Sequence, residues 1–455
     1  MKKPDFDAEP RRLAVGILDR VFRSNSYADI LLDFAFQKEL LEAKDRALAT
    51  ELVYGTLRWW KKLDWILERT FRGNWQDVPD PVRRTSEIAL YQILFLDRVP
   101  AYAAVDEAVR ISGEFQGGRW KGTVNAILRT LIRNPEMSQV PDDAGDPAKT
   151  ISLQWSHPQW LVEQWIGRFG VGRTVEICRA DNERPGISIR INPLRAEPSG
   201  VLKELESRGI SAEPNPYLKE FISFEKAGDV GALEGFREGR YTVQDPSAGL
   251  VAHLIDPKPG ESILDLAAAP GGKTTHIAEL SSDRALITAR DIHSRRLLQV
   301  SENVRRLGLH SITTEAGDGR NPFGRLFDKV LVDAPCSGMG VLRRRPELKW
   351  RRMPEDIEGL ASLQRALLES AAVSLKTGGI LVYSTCTVVE RENREVLREF
   401  LSSHGEFETE NPGPFVHPDL VSDSGFIETW PDAHGMDGSF AVRMKKTESS
   451  IHATV

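Results

Sequence analysis

The stretch ESILDLAAAPGGKTT at residues 261–275 constrains the fold more than any other part of this chain. Its apolar start predicts a short strand, its small residues and paired glycines predict a tight turn, and Lys273 opens an amphipathic run that predicts a helix. A strand, a tight turn and a helix in this order aim backbone N–H groups and a helix N-terminus at a ligand. The stretch therefore predicts a ligand-binding turn at the end of a sheet strand.

Three kinds of ligand compete for such a turn. A phosphate-binding P-loop would need G-x-x-x-x-G-K-[ST], and Gly272 and Lys273 fit, but the first glycine position holds Ala267. A dinucleotide fingerprint would need G-x-G-x-x-G, and only the Gly271–Gly272 pair is present. The third kind is a nucleoside without a pyrophosphate, whose ribose hydroxyls an acidic residue after the next strand would bind. Asp291 has that position.

From about residue 244 onward, strand patterns alternate with helix patterns. Strands are expected at about 262–267, 285–290, 311–315, 328–333 and 379–384, and helices at about 273–280, 294–307, 356–375 and 390–403. This alternation predicts a parallel sheet with helices on both faces. Because ligands of such sheets bind beyond the carboxyl ends of the strands, the residues that follow each strand are the candidates for a site.

Those strand ends carry two of the three cysteines of the chain and three aspartates. The turn follows the first expected strand. Asp291 follows the second strand and Asp318 the third, while Asp333 and Cys336 lie at the end of the fourth and Cys386 at the end of the fifth. Neither cysteine has a C-x-x-C or nearby histidine partner, so no metal is expected. The sequence thus predicts one rim with two thiols beside a nucleoside-type turn.

Methyl transfer to carbon unites these groups. C5 of a pyrimidine becomes nucleophilic when a thiolate adds at C6, and it can then attack the methyl group of S-adenosylmethionine. A helix N-terminus can activate the thiolate, and Cys386 has such a strand-to-helix position. A carboxyl near N3 of the base would stabilise the adduct, for which Asp333 is the candidate. From position alone, either cysteine could be the nucleophile.

The remaining chain divides by pattern. Apolar residues at helical spacing predict an all-α domain over residues 1–140, and an acidic, turn-rich linker follows. A small α+β domain is expected at 148–240, the catalytic domain at 241–446, and a disordered tail at 447–455. Three cysteines and the lack of long apolar runs favour a cytoplasmic protein without a membrane span. The net charge of −6 leaves room only for local basic patches.

Three motifs, DLAAAPGGKT at 265–274, DAPCSG at 333–338 and STCT at 384–387, together resemble the RNA cytosine-5 methyltransferases. The helical N-terminal region resembles the RNA-binding domain of the antitermination factor NusB. The combination resembles the bacterial ribosomal small-subunit RNA (cytosine-5-)-methyltransferase B family, also called Sun or Fmu. The resemblance implies a NusB-like all-α domain, a small α+β RNA-binding segment and a Rossmann-like methyltransferase domain that uses S-adenosylmethionine on a cytosine of 16S rRNA.

The resemblance also implies roles for residues. Cys386 would be the nucleophile that bonds to C6, Cys336 would assist product release, and Asp333 would contact the base. The implied cofactor contacts are Ala267, Ala268, Ala269, Pro270, Gly271, Gly272, Lys273, Asp291, Asp318 and Asp333. A basic run beside the rim is expected to bind RNA, with Arg343, Arg344, Arg345 and Lys349 as its residues.

Other functions compete with this interpretation. The target could be another RNA, such as a tRNA. It could also be DNA or a free nucleotide, and for these two targets Cys336 would be the nucleophile. A non-catalytic ribosome-assembly factor is a further possibility, but intact Cys336, Cys386 and Asp333 argue against it. A P-loop nucleotidase is disfavoured by Ala267.

Overall fold

The computed structural model describes residues 9–24, 26–38, 41–143, 145–224 and 230–448. By its internal contacts the chain divides into two compact units. The helical unit comprises residues 1–183 together with 342–351, and the catalytic unit comprises residues 184–341 together with 352–455. Residues 449–455, most of the segment expected to be a disordered tail, lie outside the described residues.

The helical unit is built from helices α1 to α8, in agreement with the expected all-α domain. They are α1 Pro10–Ser24, α2 Ala28–Lys38, α3 Ala43–Thr70, α4 Asp80–Phe95, α5 Ala101–Ser112, α6 Lys121–Arg133, α7 Pro147–Gln154 and α8 Gln159–Asn182. Aliphatic residues at helical spacing, such as Leu13, Ile17 and Leu52, are fully buried in one core. Pro81 lies in the first turn of α4 and Pro100 directly precedes α5, where a missing N–H costs nothing.

Two features of this unit differ from the expected division at residues 140–148. Helices α7 and α8 group with the preceding helices, and so does the distant segment 342–351. That segment contains a short 3-10 turn, Pro346–Trp350, whose Trp350 indole N–H donates to the Leu57 carbonyl over 2.7 Å. Long-range packing of this kind leaves no local pattern in the sequence.

The catalytic unit begins with a small antiparallel sheet, as expected for an α+β segment. Its elements are β1 Ile187–Ile191, α9 Pro198–Ser207, β2 Ala212–Pro214, β3 Phe221–Phe224, α10 Glu234–Arg237 and β4 Tyr241–Val243. The strand order is β2-β3-β1-β4, with β1 between β3 and β4. Ile189, Ile191 and Ile222 are fully buried and form its core with Val201 and Leu205 of α9.

The rest of this unit is one large mixed sheet with flanking helices. Its elements are α11 Pro246–Ile255, β5 Ser262–Asp265, α12 Gly272–Leu280, β6 Leu286–Asp291, α13 Ser294–Leu307, β7 Ile312–Ala316, β8 Phe327–Asp333, α14 Pro354–Val373, β9 Leu375–Thr385, α15 Arg394–Ser403, β10 Phe407–Thr409, β11 Ile427–Thr429, α16 Pro431–His434 and β12 Ser439–Lys446. The strand order is β10-β12-β9-β8-β5-β6-β7, and β11 pairs with β12.

Strands β9, β8, β5, β6 and β7 are parallel, and all five agree closely with the strands expected from the sequence. The alternation does not continue to the end of the chain, because β10, β11 and β12 run antiparallel to their neighbours. Strand order reverses between β5 and β8, which places the ends of β5, β8 and β9 side by side at the usual ligand position of such sheets. Within the described residues, no helix is long and apolar enough to cross a membrane.

Candidate active site

The turn after β5 brings its backbone close to helix α13. Gly271 has φ +99°, a conformation that favours glycine, and a Cβ there would lie 3.1 Å from Val300 of α13. The Gly271 N–H donates to the Ala268 carbonyl over 2.7 Å, and α12 begins at Gly272. Residues 267–272 therefore present backbone and almost no side chain at the N-terminus of α12, as the sequence predicts.

The carboxylate of Asp291 lies directly against this turn. One oxygen accepts from the Ala269 N–H over 3.2 Å and the other from the His293 N–H over 2.8 Å. Each carboxylate oxygen has a second lone pair, which leaves acceptors for the two hydroxyls of a ribose. Asp318 follows β7, where Arg320 pairs with it and lowers the pKa of Asp318 to about 2 by hydrogen bonding. The Gly317 N–H, directly before Asp318, donates to the Asp291 carbonyl over 3.0 Å, so the chain segments that carry the two candidate aspartates are adjacent.

Lys273 points away from these two carboxylates and toward the end of β8. Its Nζ lies 2.7 Å from Asp333 Oδ2, and the Ser384 hydroxyl donates to Asp333 Oδ1 over 2.9 Å. Burial disfavours the Lys273 charge, but Asp333 more than offsets burial and raises the pKa of Lys273 above its ordinary value. The carboxyl of Asp333 is therefore held between Lys273 and Ser384. Lys273 was expected among the cofactor contacts, and the structure gives it this second partner.

The side chains of the two cysteines at the rim are in direct contact. Cys336 Sγ lies 3.2 Å from Cys386 Sγ; Cys386 is exposed and Cys336 is half-buried. The hydrogen bond from Cys336 is the largest influence that lowers the pKa of Cys386; burial opposes it and Lys273 reinforces it. The same contact and burial raise the pKa of Cys336 well above its ordinary value. The arrangement therefore favours a thiolate on Cys386 and a protonated thiol on Cys336.

A second buried carboxyl, Asp265 at the end of β5, was not among the expected site residues. Its Oδ2 accepts from the Thr274 hydroxyl over 2.6 Å, and burial raises the pKa of Asp265 to about 7. Glu392 was not among the expected site residues either, and it is fully buried, with its carboxylate bonded to Ser337 beside Cys336. No local spacing marks Glu392, because its partners Ser337 and Gln364 lie 55 and 28 residues away in the sequence.

The expected basic patch needs correction for two of its four residues. Lys349 is buried, and its Nζ donates to Asn182 Oδ1 over 2.7 Å and to the Ser156 carbonyl over 3.2 Å, both in the helical unit. Arg343 is buried as well. Side chains enclosed in this way are not available to phosphates. Arg345, which is exposed and 3.0 Å from Asp29, and the half-buried Arg344 keep their expected RNA binding as a prediction.

Glu220, His253 and His276 form a further cluster of possible metal ligands in the catalytic unit. Glu220 Oε1 lies 2.6 Å from His253 Nε2 and 3.2 Å from His276 Nε2. Zinc ligands in tetrahedral geometry would lie roughly 3.3 Å apart, so the shorter separation is that of a hydrogen bond. Burial lowers the pKa of His276 to about 3, which keeps this imidazole neutral. In this cluster Glu220, directly before β3, makes a hydrogen bond with His253 of α11, and the His276 ring of α12 packs edge-on against His253.

Comparison with protein families gives three matches along the chain. The family described as "16S rRNA methyltransferase RsmB/F" matches residues 252–445. The "NusB family" matches residues 8–133, and the "Methyltr_RsmF/B-like, ferredoxin-like domain" matches residues 157–231. These matches fall on the large sheet, on the N-terminal helices, and on a range that includes α8 and strands β1 to β3 of the small sheet.

Similar proteins extend over nearly the whole chain. A protein of Synechocystis sp. named "Probable ribosomal RNA small subunit methyltransferase B" is 38% identical over 449 residues, which cover 96% of this chain and 99% of the relative. The "Ribosomal RNA small subunit methyltransferase B" of Erwinia tasmaniensis is 37% identical and covers 89% and 91%. The crystal structure of PH0851 is 27% identical, with a TM-score of 0.79 and coverage of 98% and 100%. The chain therefore belongs to the ribosomal RNA small subunit methyltransferase B family.

Proposed function

We propose that the protein transfers a methyl group from S-adenosylmethionine to C5 of a cytosine in small-subunit ribosomal RNA, through a covalent bond between Cys386 and C6. The observation that carries this proposal is the 3.2 Å contact of the two cysteine sulfurs beside the Lys273–Asp333 ion pair. Two thiols of opposite protonation preference suit a reaction that needs one nucleophile and one acid–base partner. The names of the related proteins support ribosomal RNA as the substrate.

The methyl donor suits the turn for a physical reason. Residues 267–272 leave space near the backbone, and the lone pairs left on Asp291 can accept from ribose hydroxyls. The turn lacks the glycine pattern that a pyrophosphate would need. When bound, S-adenosylmethionine supplies an activated methyl group and leaves as S-adenosylhomocysteine. Residues 267–273, Asp291 and Asp318 are the proposed cofactor contacts.

In the proposed reaction, the Cys386 thiolate bonds to C6, and the electrons of the C5–C6 double bond move onto C5 and, through C4, onto N3. The Asp333 carboxyl, held in place by Lys273 and Ser384, is proposed to hydrogen-bond to N3, which takes up a proton from solvent as the negative charge reaches it and gives that proton up when the ring is restored. C5 then takes the methyl group. Loss of the C5 proton and cleavage of the C6–S bond restore the aromatic ring and free Cys386. Cys336 is proposed to assist this release.

The experiment that tests the proposal separates the two cysteines. Full-length Cys386→Ala should form no covalent link to RNA and lose essentially all methyl transfer. Cys336→Ala should still attack and transfer methyl but stall as a protein–RNA complex that survives denaturing gel electrophoresis. The double variant should not stall, since the link requires Cys386. Mass spectrometry of digested RNA then places the methyl group on C5 or elsewhere.

Each competing function gives a different result. A trapped complex with Cys386→Ala and none with Cys336→Ala would reverse the roles and favour the DNA-type mechanism. Methylation of tRNA in preference to 16S rRNA would move the substrate to another RNA. Wild-type protein that binds small-subunit RNA but transfers no methyl group under any condition would indicate an assembly factor.

A further inference from the structure

A single buried carboxylate ties together the loops that carry the two cysteines. Glu392 Oε1 accepts from the Ser337 N–H over 2.8 Å and from the Gln364 side-chain amide over 3.0 Å, while its Oε2 accepts from the Ser337 hydroxyl. Ser337 directly follows Cys336, so these bonds fix the Cys336 loop from beneath. Gln364 also donates to the Pro335 carbonyl over 3.0 Å and holds the other side of that loop.

The same short segment also holds the Cys386 loop. The Ser337 hydroxyl lies 2.7 Å from the hydroxyl of Thr387, the residue after Cys386. Asn393, next to Glu392, donates to the Thr387 carbonyl over 3.0 Å and accepts from the Thr385 hydroxyl over 2.6 Å. Glu392 and Asn393 therefore anchor the residues on both sides of Cys386 as well as the residue after Cys336.

The charge of Glu392 matters as much as its contacts. Burial raises the pKa of Glu392, while the hydrogen bonds from Ser337 and Gln364 oppose burial. Negative charge at this position disfavours a second negative charge on either sulfur, and it raises the pKa of Cys336 and of Cys386. Cys386 has Lys273 as a compensating cation, whereas no cation is among the main influences on Cys336.

We propose that Glu392 is a positioning residue for the two-cysteine reaction, which holds both cysteine loops at their contact distance and places a buried carboxyl directly against the residue that follows Cys336. The positioning role rests on the proposed function, because it assigns Glu392 to the nucleophile and its partner. The charge effect exists in the protein alone. It can therefore be measured without RNA or a methyl donor.

Other titratable groups face this pair and must be considered in any pH profile. Asp333 and Lys273 act on Cys386 from β8 and α12, and the Tyr383 hydroxyl donates to the Glu392 carbonyl from β9. The Arg352 guanidinium donates to the Ser337 carbonyl over 3.2 Å. None of these groups is changed by a substitution at Glu392, so a shift in the profile of Cys336 reports on Glu392 itself.

The test uses the full-length protein with Glu392→Gln, Glu392→Ala and the control Glu390→Gln, an exposed glutamate on the same turn. The rate at which iodoacetamide alkylates each cysteine is measured from pH 6 to 10 by peptide mass spectrometry, without RNA. Glutamine removes the charge and keeps an acceptor for the Ser337 N–H, while its amide NH₂ replaces the oxygen that accepts from the Ser337 hydroxyl. Its Cys336 midpoint should fall by on the order of one pH unit. The control should match the wild type.

Methyl transfer then tests positioning. Glu392→Ala removes the ties, so kcat should fall about 100-fold, as for a catalytic group displaced by about 1 Å, while KM for RNA changes less than about twofold. An unchanged Cys336 profile in Glu392→Gln overturns the charge role, and an unchanged kcat in a folded Glu392→Ala overturns positioning. Should the alanine variant fail to fold, the glutamine profile decides. Wild-type protein without methyl transfer would refute the proposed function while the thiol profile still decides the charge role.

Discussion

Arg190 makes the most enclosed ion pair of the catalytic unit, and its removal should be costly. Its guanidinium is fully buried on β1, with Nε 2.8 Å from Glu279 Oε2 and Nη2 2.9 Å from Glu279 Oε1. The remaining donors reach the Thr275 hydroxyl, the Gln244 side chain and the Gly272 carbonyl, where α12 begins. All five guanidinium hydrogens are therefore used.

The expected cost of Arg190→Met follows from what it leaves behind. Glu279 is 2% exposed, and both of its oxygens have Arg190 as their hydrogen-bond donor. Removal of one partner of a buried ion pair costs about 3–5 kcal/mol, because the other charge stays buried without compensation. The double variant Arg190→Met with Glu279→Met removes both charges. The double variant should lose at least about 2 kcal/mol less of its free energy of unfolding than Arg190→Met does.

The penalty should also depend on pH in a defined direction. Burial raises the pKa of Glu279 in the folded protein, and Arg190 opposes burial. In Arg190→Met that pKa should rise further. A carboxyl with a raised folded pKa costs no stability below its unfolded pKa and costs progressively more as the pH rises toward its folded value. Arg190→Met should therefore be less destabilised near pH 5 than near pH 8.

Hydrogen exchange with mass spectrometry on the full-length protein measures this effect locally. The opening free energy of the peptide 272–280 should drop by about 3–5 kcal/mol in Arg190→Met. The control is Lys258→Met, which removes a partner of Asp256 from an exposed pair and should cost less than about 1 kcal/mol. A double variant as unstable as Arg190→Met would refute the argument, since the loss would then come from Gly272, not from the stranded carboxylate.

Three further predictions concern single side chains. Asp291→Ala should weaken S-adenosylmethionine binding by about 1–3 kcal/mol, because ribose hydroxyls lose their acceptor; calorimetry should show this loss, and unchanged affinity would contradict it. Lys349→Met should destabilise the helical unit by about 1–3 kcal/mol, because Asn182 Oδ1 and the Ser156 carbonyl lose the donor that the buried lysine supplies, but leave the salt dependence of RNA binding unchanged. Arg345→Met should instead reduce that salt slope by about 0.7–0.9, as loss of one phosphate contact does.

The sequence predicts the rim of the site but not its burial. Parallel strands end at one edge, so Asp333, Cys336 and Cys386 could be brought together from strand pattern alone. Lys349 shows the limit of such patterns. A basic run is most often a solvated surface, yet Lys349 is enclosed by partners about 170 and 190 residues away, Asn182 and Ser156. Burial lowers the pKa of Lys349 to about 7. Contacts at that separation leave no periodicity that a sequence could reveal.

Lys273 shows why a motif gives only part of a residue's role. In DLAAAPGGKT the lysine opens a helix at a ligand-binding turn, so local pattern assigns it to the cofactor. The structure adds its contact with Asp333, a residue that follows a different strand, and its charge also favours the thiolate of Cys386. One side chain thus connects the turn proposed for the methyl donor with the proposed nucleophile. Because β5, β8 and β9 lie side by side, a substitution in the turn that moves Lys273 also moves the positive charge that favours the Cys386 thiolate.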